Sequence, residues 1–127
     1  MEAVECPFCK HPSNREIIAE SAMAFSLYDL FPVNPGHALI IPKRHVANYF
    51  ALDAAEQAAC VQLLQFVQAI LTERYNPDGF NVGINVGEAA GQTVPHVHIH
   101  LIPRYRGDVD EARGGVRGVI PHKRNYP

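Results

Sequence analysis

The sequence predicts an α+β domain: a twisted antiparallel sheet of about five strands with one long helix and a shorter helical turn. Three observations carry this. Short apolar runs lie on both sides of a single long stretch of helical periodicity. The resulting order of strands, helix, strands suits an antiparallel layer better than a parallel βαβ sheet, in which the two alternate. The length of 127 residues, with 47% hydrophobic and 19% charged content, fits one globular domain with a core of its own.

Residues 5–14, rich in Cys, Pro, His and Asn, read as an irregular knuckle. Ile17–Ala19 and Ala24–Leu30 read as two strands, because few residues separate them. Pro32, Asn34, Pro35 and Gly36 are dense turn chemistry. His37–Ile41 is a short strand ended by Pro42. Asp53 is a good helix N-cap, and Glu56 three residues later completes a capping box. Cys60, Leu63, Leu64, Val67, Ile70 and Leu71 recur at helical spacing and form one face. Asn76, Pro77, Asp78 and Gly79 stop that helix. Phe80–Val86 and Val94–Ile102 read as the last strands, the second bounded by Pro103. The expected layout is a knuckle at 5–14, a core at 15–105 and a basic, irregular tail at 106–127.

Charge narrows the function classes. Lys plus Arg number 11 and Asp plus Glu 13, a formal charge of −2. That balance argues against general nucleic-acid binding, which favours a strongly basic surface, and leaves room for a small phosphorylated ligand. No segment approaches the roughly 20 apolar residues of a membrane span. The acidic start, with Glu2 and Glu5, has no signal-peptide core, so a cytoplasmic location is expected. Three cysteines in a reducing compartment argue against a disulfide framework.

The densest chemistry is Pro95-His96-Val97-His98-Ile99-His100. On a strand, alternate side chains share a face. His96, His98 and His100 would point one way, about 7 Å apart along the strand, with Val97, Ile99 and Leu101 beneath the helix. Three readings exist. One is a solvated polar face. Another is a catalytic metal site with three histidine ligands. In the third, one histidine is a nucleophile and the others support it, since imidazole is partly neutral at pH 7 and leaves readily from phosphorus. Separately, Cys6-Pro7-Phe8-Cys9 has the two-residue gap of a metal knuckle, which needs two further ligands. His11 is a nearby candidate. The same motif resembles a glutaredoxin pair, but that pair normally follows a strand and opens a helix. Only five residues precede Cys6, and Pro12 and Asn14 disfavour a helix after it.

The run from Gly91-Gln92-Thr93 through His96, His98 and His100 to Pro103-Arg104 resembles the signature of the histidine triad (HIT) superfamily. With Gly107-Asp108, it is most similar to the fragile-histidine-triad and bacterial dinucleoside-polyphosphate hydrolase branch. The likeness extends upstream through Asn34-Pro35-Gly36-His37 and Ile41-Pro42-Lys43-Arg44-His45, and covers roughly residues 6–108. It departs from the fragile-triad branch in the cysteine knuckle and in Asn85.

The resemblance implies a HIT-like fold and a nucleotide hydrolase or transferase. His98 would attack the α-phosphate and form a nucleotidyl-histidine that water then cleaves. The carbonyl of His96 would hold the His98 ring, and His100 and His37 would bond the phosphate or leaving group. Asn85, Gln92 and Thr93 would contact phosphate oxygens, Asp29 the ribose, and Leu27 and Leu30 the base. Plainer readings stand beside these: Asn85 could end its strand, Asp29 could cap the next turn, and both leucines could be core. Zinc-bearing relatives imply a structural zinc on Cys6, Cys9, His45 and His96. The implied substrate is a purine nucleotide or dinucleoside polyphosphate. The alternatives are a purine nucleoside phosphoramidase or a nucleotide-binding module without catalysis. A symmetric homodimer is implied, and Val61 and Phe66, off the main helix face, fit an oligomer contact. Lys43, Arg44, Arg104 and Arg106 are candidates for drawing in a polyphosphate, or are plain solvated surface. The tail is expected to fold over the site or onto a partner and tune substrate choice. Cys60, on the apolar helix face, reads as a small buried hydrophobe.

Overall fold

The structure, a computed structural model of the chain, describes residues 6–9 and 15–127. His11 and the rest of the 5–14 knuckle lie outside the described residues, apart from Cys6–Cys9. Five strands are present: β1 (Ile17–Glu20), β2 (Ala24–Tyr28), β3 (Ala38–Pro42), β4 (Gly79–Ile84) and β5 (Ile99–Arg104). They form one antiparallel sheet in the order β1-β2-β3-β5-β4. One long helix, α1 (Ala54–Tyr75), crosses one face, and the expected shorter helical turn is the 3-10 turn Tyr49–Ala51. The α+β class and the five-stranded antiparallel layout are as the sequence predicts. No described helix is long and apolar enough to cross a membrane.

The helix starts where its sequence dictates. The Asp53 carboxylate accepts from the Glu56 N–H at 2.8 Å, and the Glu56 side chain accepts from the Asp53 N–H at 3.0 Å. Glu56 is also clamped by Arg44 through two bonds of 2.8 and 2.7 Å. That clamp, with the capping bonds, pulls its carboxyl down to about 2. Asn76 ends the helix in the left-handed conformation, φ 47°. Cys60, Leu63, Val67 and Leu71 face the sheet and join Ala24, Ala38, Ile40, Ile99 and Leu101 in the main core. Burying each of the larger aliphatic side chains is worth about 1.5–3 kcal/mol relative to exposure. Cys60 is fully buried there, and burial pushes its thiol up to about 11. A smaller core of Phe8, Phe25, Leu27, Leu39 and Ile41 lies in a second cluster.

The final strand differs from expectation at both ends. Residues 94–98 lie outside the ladder: 94–96 bend, with the His96 N–H on Val94 O at 2.8 Å, Pro95 lacks a donor, and the Val97 N–H bonds Val46 O at 2.7 Å. The strand instead runs through Pro103 to Arg104. Its pairing with β3 stops at Leu101, so the missing Pro103 donor meets no partner strand on that side. Only glycine suits position 36. Its φ is +88°, and a Cβ would lie 2.9 Å from the Tyr75 ring and 3.1 Å from Pro103. This Asn34–Gly36 turn, closed by His37 N–H to Asn34 O at 3.1 Å, delivers His37 to the open sheet face.

The tail is more ordered than its composition suggests. It contains the 3-10 turns Gly115–Val119 and Pro121–Lys123. Its arginines fold it onto itself: Arg124 donates to Glu111 O at 2.6 Å, Arg117 donates to Lys123 O at 3.1 Å, and Arg113 and Arg117 stack on Tyr126. The Gly115–Val119 turn rests on β4.

Candidate active site

Residues paired across β5 and its neighbours sort the triad by face. Ile99 and Leu101 enter the core under α1, so His98 and His100 face the opposite, open side. Their rings lean together, with centroids 5.1 Å apart, closer than the backbone spacing alone implies. His96 has a different environment. It is fully buried, and its ring meets the cysteine turn and His45.

Neighbouring groups fix each tautomer, because a carbonyl only accepts and a backbone N–H only donates. His98 donates from Nδ1 to His96 O at 2.9 Å. Its Nε2 therefore carries the lone pair. His96 donates from Nε2 to Pro42 O at 2.7 Å, which leaves its Nδ1 lone pair toward Cys6, Cys9 and His45. Val33 N–H donates to His37 Nδ1 at 3.1 Å, so His37 carries its proton on Nε2 and donates to His100 Nδ1 at 3.0 Å. His100 is left with its Nε2–H to offer. His37 thus has both nitrogens engaged and acts on the cleft through His100.

A cleft of about 370 Å³ opens over these groups. His98, His100, Asn85, Thr93, Asp29 and Leu30 all line it. His98 is only 9% exposed, so its ring is recessed in the wall but reaches the cavity. Besides His37, which reaches the cleft only through His100, two expected contacts are placed elsewhere. Leu27 is fully buried in the smaller core and does not line the cleft, which is the plainer of its two readings. The Gln92 amide is committed to the backbone. It accepts from Gly87 N–H at 2.9 Å and donates to Ala47 O at 2.7 Å and Val94 O at 3.1 Å. In this arrangement Gln92 fixes the loop ahead of the triad. Asp29 caps its turn through Phe31 N–H at 2.8 Å, while its other oxygen stands 3.5 Å from His37 Nε2.

Sequence reasoning missed Phe8, Arg15 and Phe31 as cleft residues. Phe8 packs on the His98 ring at 5.2 Å. Arg15 donates to Tyr28 O and brings a cation to the lining, with its pKa lowered by burial against the opposing pull of Asp29. No residue pattern marked these three; only the fold brings the N-terminal turn, Arg15 and the loop after β2 to the triad. The basic residues singled out earlier are paired instead: Lys43 with Glu20 (2.6 Å), Arg44 with Glu56 (2.7 Å), Arg104 with Asp108 (2.8 Å) and Arg106 with Asp78 (3.9 Å).

Cys6, Cys9, His45 and His96 form a cluster that can hold a metal ion, each offering one ligand atom within 4.8 Å of the others. Cys9 Sγ lies 3.0 Å from His45 Nδ1, Cys6 Sγ lies 3.4 Å from His96 Nδ1, and the two Nδ1 atoms are 3.2 Å apart. A tetrahedral zinc with Zn–S near 2.3 Å and Zn–N near 2.0–2.1 Å needs S···N near 3.6 Å and N···N near 3.3 Å. The donor set fits, the Cys6–His96 and His45–His96 spacings are close to these values, and the Cys9–His45 spacing is shorter.

A domain-family profile described as "HIT domain" matches residues 11–107. The chain belongs to the HIT family. The resemblance read from Gly91–Arg104 therefore holds. A bis(5′-nucleosyl)-tetraphosphatase [asymmetrical] from Schizosaccharomyces pombe is 35% identical over 104 residues, covering 82% of this chain and 57% of that protein. The chain thus spans little more than half the length of that curated relative. Among solved structures, a HIT family protein from Bacillus anthracis matches with a TM-score of 0.77 at 35% identity, covering 84% of this chain and 78% of that one. A Zn-bound histidine triad family protein from Mycobacterium smegmatis matches with a TM-score of 0.70 at 33% identity, covering 76% and 70%.

Burial favours the neutral form of three of these histidines, His100, His37 and His96. Burial first, then the positive charges that His98 and His37 would carry, push His100 down to about 4, with Asp29 opposing. Burial also lowers His37 and His96. An unfolded histidine titrates near 6.5. Between the two values the unfolded chain binds protons that the native site does not, so stability falls as pH drops from about 6.5 toward about 4. His100→Gln removes one such group and should shallow that fall. Urea midpoints followed from about pH 7 to about pH 4 check it, and parallel curves for variant and wild type would contradict it.

Proposed function

We propose that this HIT protein hydrolyses or transfers nucleotides at the α-phosphate, with His98 as nucleophile and dinucleoside polyphosphates as the substrate class. The observation that carries the reading is the His98 ring, tied at Nδ1 to the His96 carbonyl with its Nε2 lone pair left for the cleft. Relatives named as nucleosyl-polyphosphate hydrolases support the substrate class.

In the first step His98 Nε2 gives its electron pair to the α-phosphorus. The P–N bond forms, the bond to the bridging oxygen breaks, and the leaving phosphate takes that pair. The imidazolium so formed keeps its Nδ1–H on the His96 carbonyl, a fixed dipole where charge develops. His100 then offers its Nε2–H to a phosphate or leaving oxygen. Water then attacks phosphorus, a P–O bond forms and the water's proton is released to solvent, while the P–N bond breaks, His98 recovers its lone pair and a nucleoside monophosphate leaves. Asn85 and Thr93 offer neutral donors to the phosphates. Asp29 keeps one oxygen available for the ribose hydroxyls. Exposed Leu30 and Phe31 at the mouth suit the faces of a base.

We assign the Cys6, Cys9, His45 and His96 cluster to a structural zinc. Four protein ligands close the shell and leave no position for a reacting water. The His96 Nε2–H bond to Pro42 O is the outer contact such a ligand uses to fix its lone pair. The metal's chemistry here would be to hold the N-terminal turn, and with it Phe8, against His98.

The exposed Val61 and Phe66 on α1 suit a symmetric dimer contact.

Three outcomes are expected. In a screen across dinucleoside polyphosphates and adenylyl amidates, His98→Ala abolishes turnover of every active substrate while calorimetry still detects nucleotide binding. Turnover unchanged in this variant would remove the nucleophile. Cys6→Ser/Cys9→Ser should lose one equivalent of zinc by elemental analysis and lower the thermal midpoint. Full zinc content in that protein would place the metal elsewhere. Phe66→Asp should sediment as a monomer where the wild type sediments as a dimer, and identical sedimentation would reject the helix contact.

A further inference from the structure

A second cavity, of about 590 Å³, adjoins the nucleotide cleft. That volume is within the ordinary range of small-ligand sites, about 300–1,000 Å³. Its floor is the open face of β4 and β5, and its far wall is the tail, through Val116, Gly118 and Val119. The two chambers share His100 and Asn85, whereas His98 lines only the first.

This division matters for displacement at phosphorus. Attacking and leaving atoms stand roughly in line across the phosphoryl group. With His98 on the first-chamber side, a leaving group departs past His100, into the second chamber. The chemistry of that chamber is close to neutral. Arg104 and Asp108 on its rim cancel each other through two bonds of 2.8 Å. Arg124, also on the wall, is spent on the tail carbonyls of Glu111 and Arg113. Ile102, Val116 and Val119 supply apolar surface.

Gly83 is the feature that keeps the passage open. It pairs with His100 across the sheet, so a side chain there would stand beside the His100 ring on the same face. Nothing lies within 4 Å of where its Cβ would be, and its backbone is in no glycine-only conformation. The fold does not require a glycine at this position. A glycine inside a strand marks a bulge, a bend or a close approach; the β4–β5 register runs unbroken through Gly83 and no protein atom stands near its Cβ, which favours approach by a ligand.

We propose that the chamber between β4, β5 and the tail binds the nucleoside end of the leaving half of the substrate, with Gly83 as the residue that admits it. The assignment rests on the α-phosphate chemistry described above. It makes the tail a specificity element: the reacting nucleotide is held by the first cleft, and the departing nucleoside by the tail-walled one.

Gly83→Val tests this directly, because valine favours a strand and its Cβ would meet no atom within 4 Å. The variant is compared with wild type on diadenosine tetraphosphate, whose leaving half carries a nucleoside, and on adenosine 5′-phosphoramidate, whose leaving group is ammonia. The expected result is a roughly tenfold to two-hundredfold loss in kcat/KM for the dinucleoside, the scale of one misfit side chain in a pocket. The amidate rate should stay within about twofold of wild type. Val116→Trp, from the opposite wall, should give the same split. Equal effects on both substrates, or none on the dinucleoside, overturn the leaving-group site while leaving the nucleophile assignment intact. A wild-type protein inert toward both substrates overturns the α-phosphate reading itself, and this assignment with it.

Discussion

The structure depends most on a single residue whose two ends do different work. The side chain of His96 is fully buried, tied through Nε2 to Pro42 O and facing Cys6, Cys9 and His45. Its carbonyl accepts from His98 Nδ1. A buried hydrogen bond of this kind contributes only about 0.5–1.5 kcal/mol net, but its consequence for His98 is larger than that figure suggests. It selects the tautomer, and so decides which nitrogen of His98 has a free electron pair. The carbonyl can hold that direction because the same residue's ring is anchored on the other side. Val97 N–H to Val46 O and the Gln92 amide bonds fix the flanking backbone for the same purpose.

Electrostatics follow from this packing. Burial keeps His37, His96 and His100 in their neutral forms at ordinary pH. Neutral rings can accept or donate in a chain, and the order Val33 N–H, His37, His100 is such a chain. The basic residues near the triad contribute less charge than their number implies, since Arg44 and Arg104 are each held by a carboxylate in two bonds. The site therefore relies on oriented neutral donors, with Arg15 as a cation on the cleft wall. Donors already in place need no reorganisation when charge develops on a phosphate.

Much of this was legible in the sequence, and the reasons differ by element. The helix was readable because its signals are local: a capping box at Asp53 and Glu56, and an apolar face every three or four residues. The triad was readable because a two-residue period survives in His98 and His100 whatever the strand limits are. Strand limits were harder. Pro95 removed five residues from the ladder, and Pro103 was tolerated inside it, because both outcomes depend on which neighbour strand is present. Leu27 and Gln92 show the same limit for site residues. A resemblance can give a position, but only packing shows that Leu27 lies in the core and that the Gln92 amide is fully bonded to backbone. The tail was least readable, since its order comes from arginine bonds to distant carbonyls and from its seat on β4.

The most direct measurement is of the covalent step. The protein is mixed briefly with a dinucleoside polyphosphate labelled at the α-phosphate, quenched in base, in which a phosphorus–histidine bond survives, and mapped by peptide mass. The account predicts one labelled nucleotidyl group, on the ring of His98. Label on any other residue, or rapid turnover with no label on the protein at any time, would contradict it.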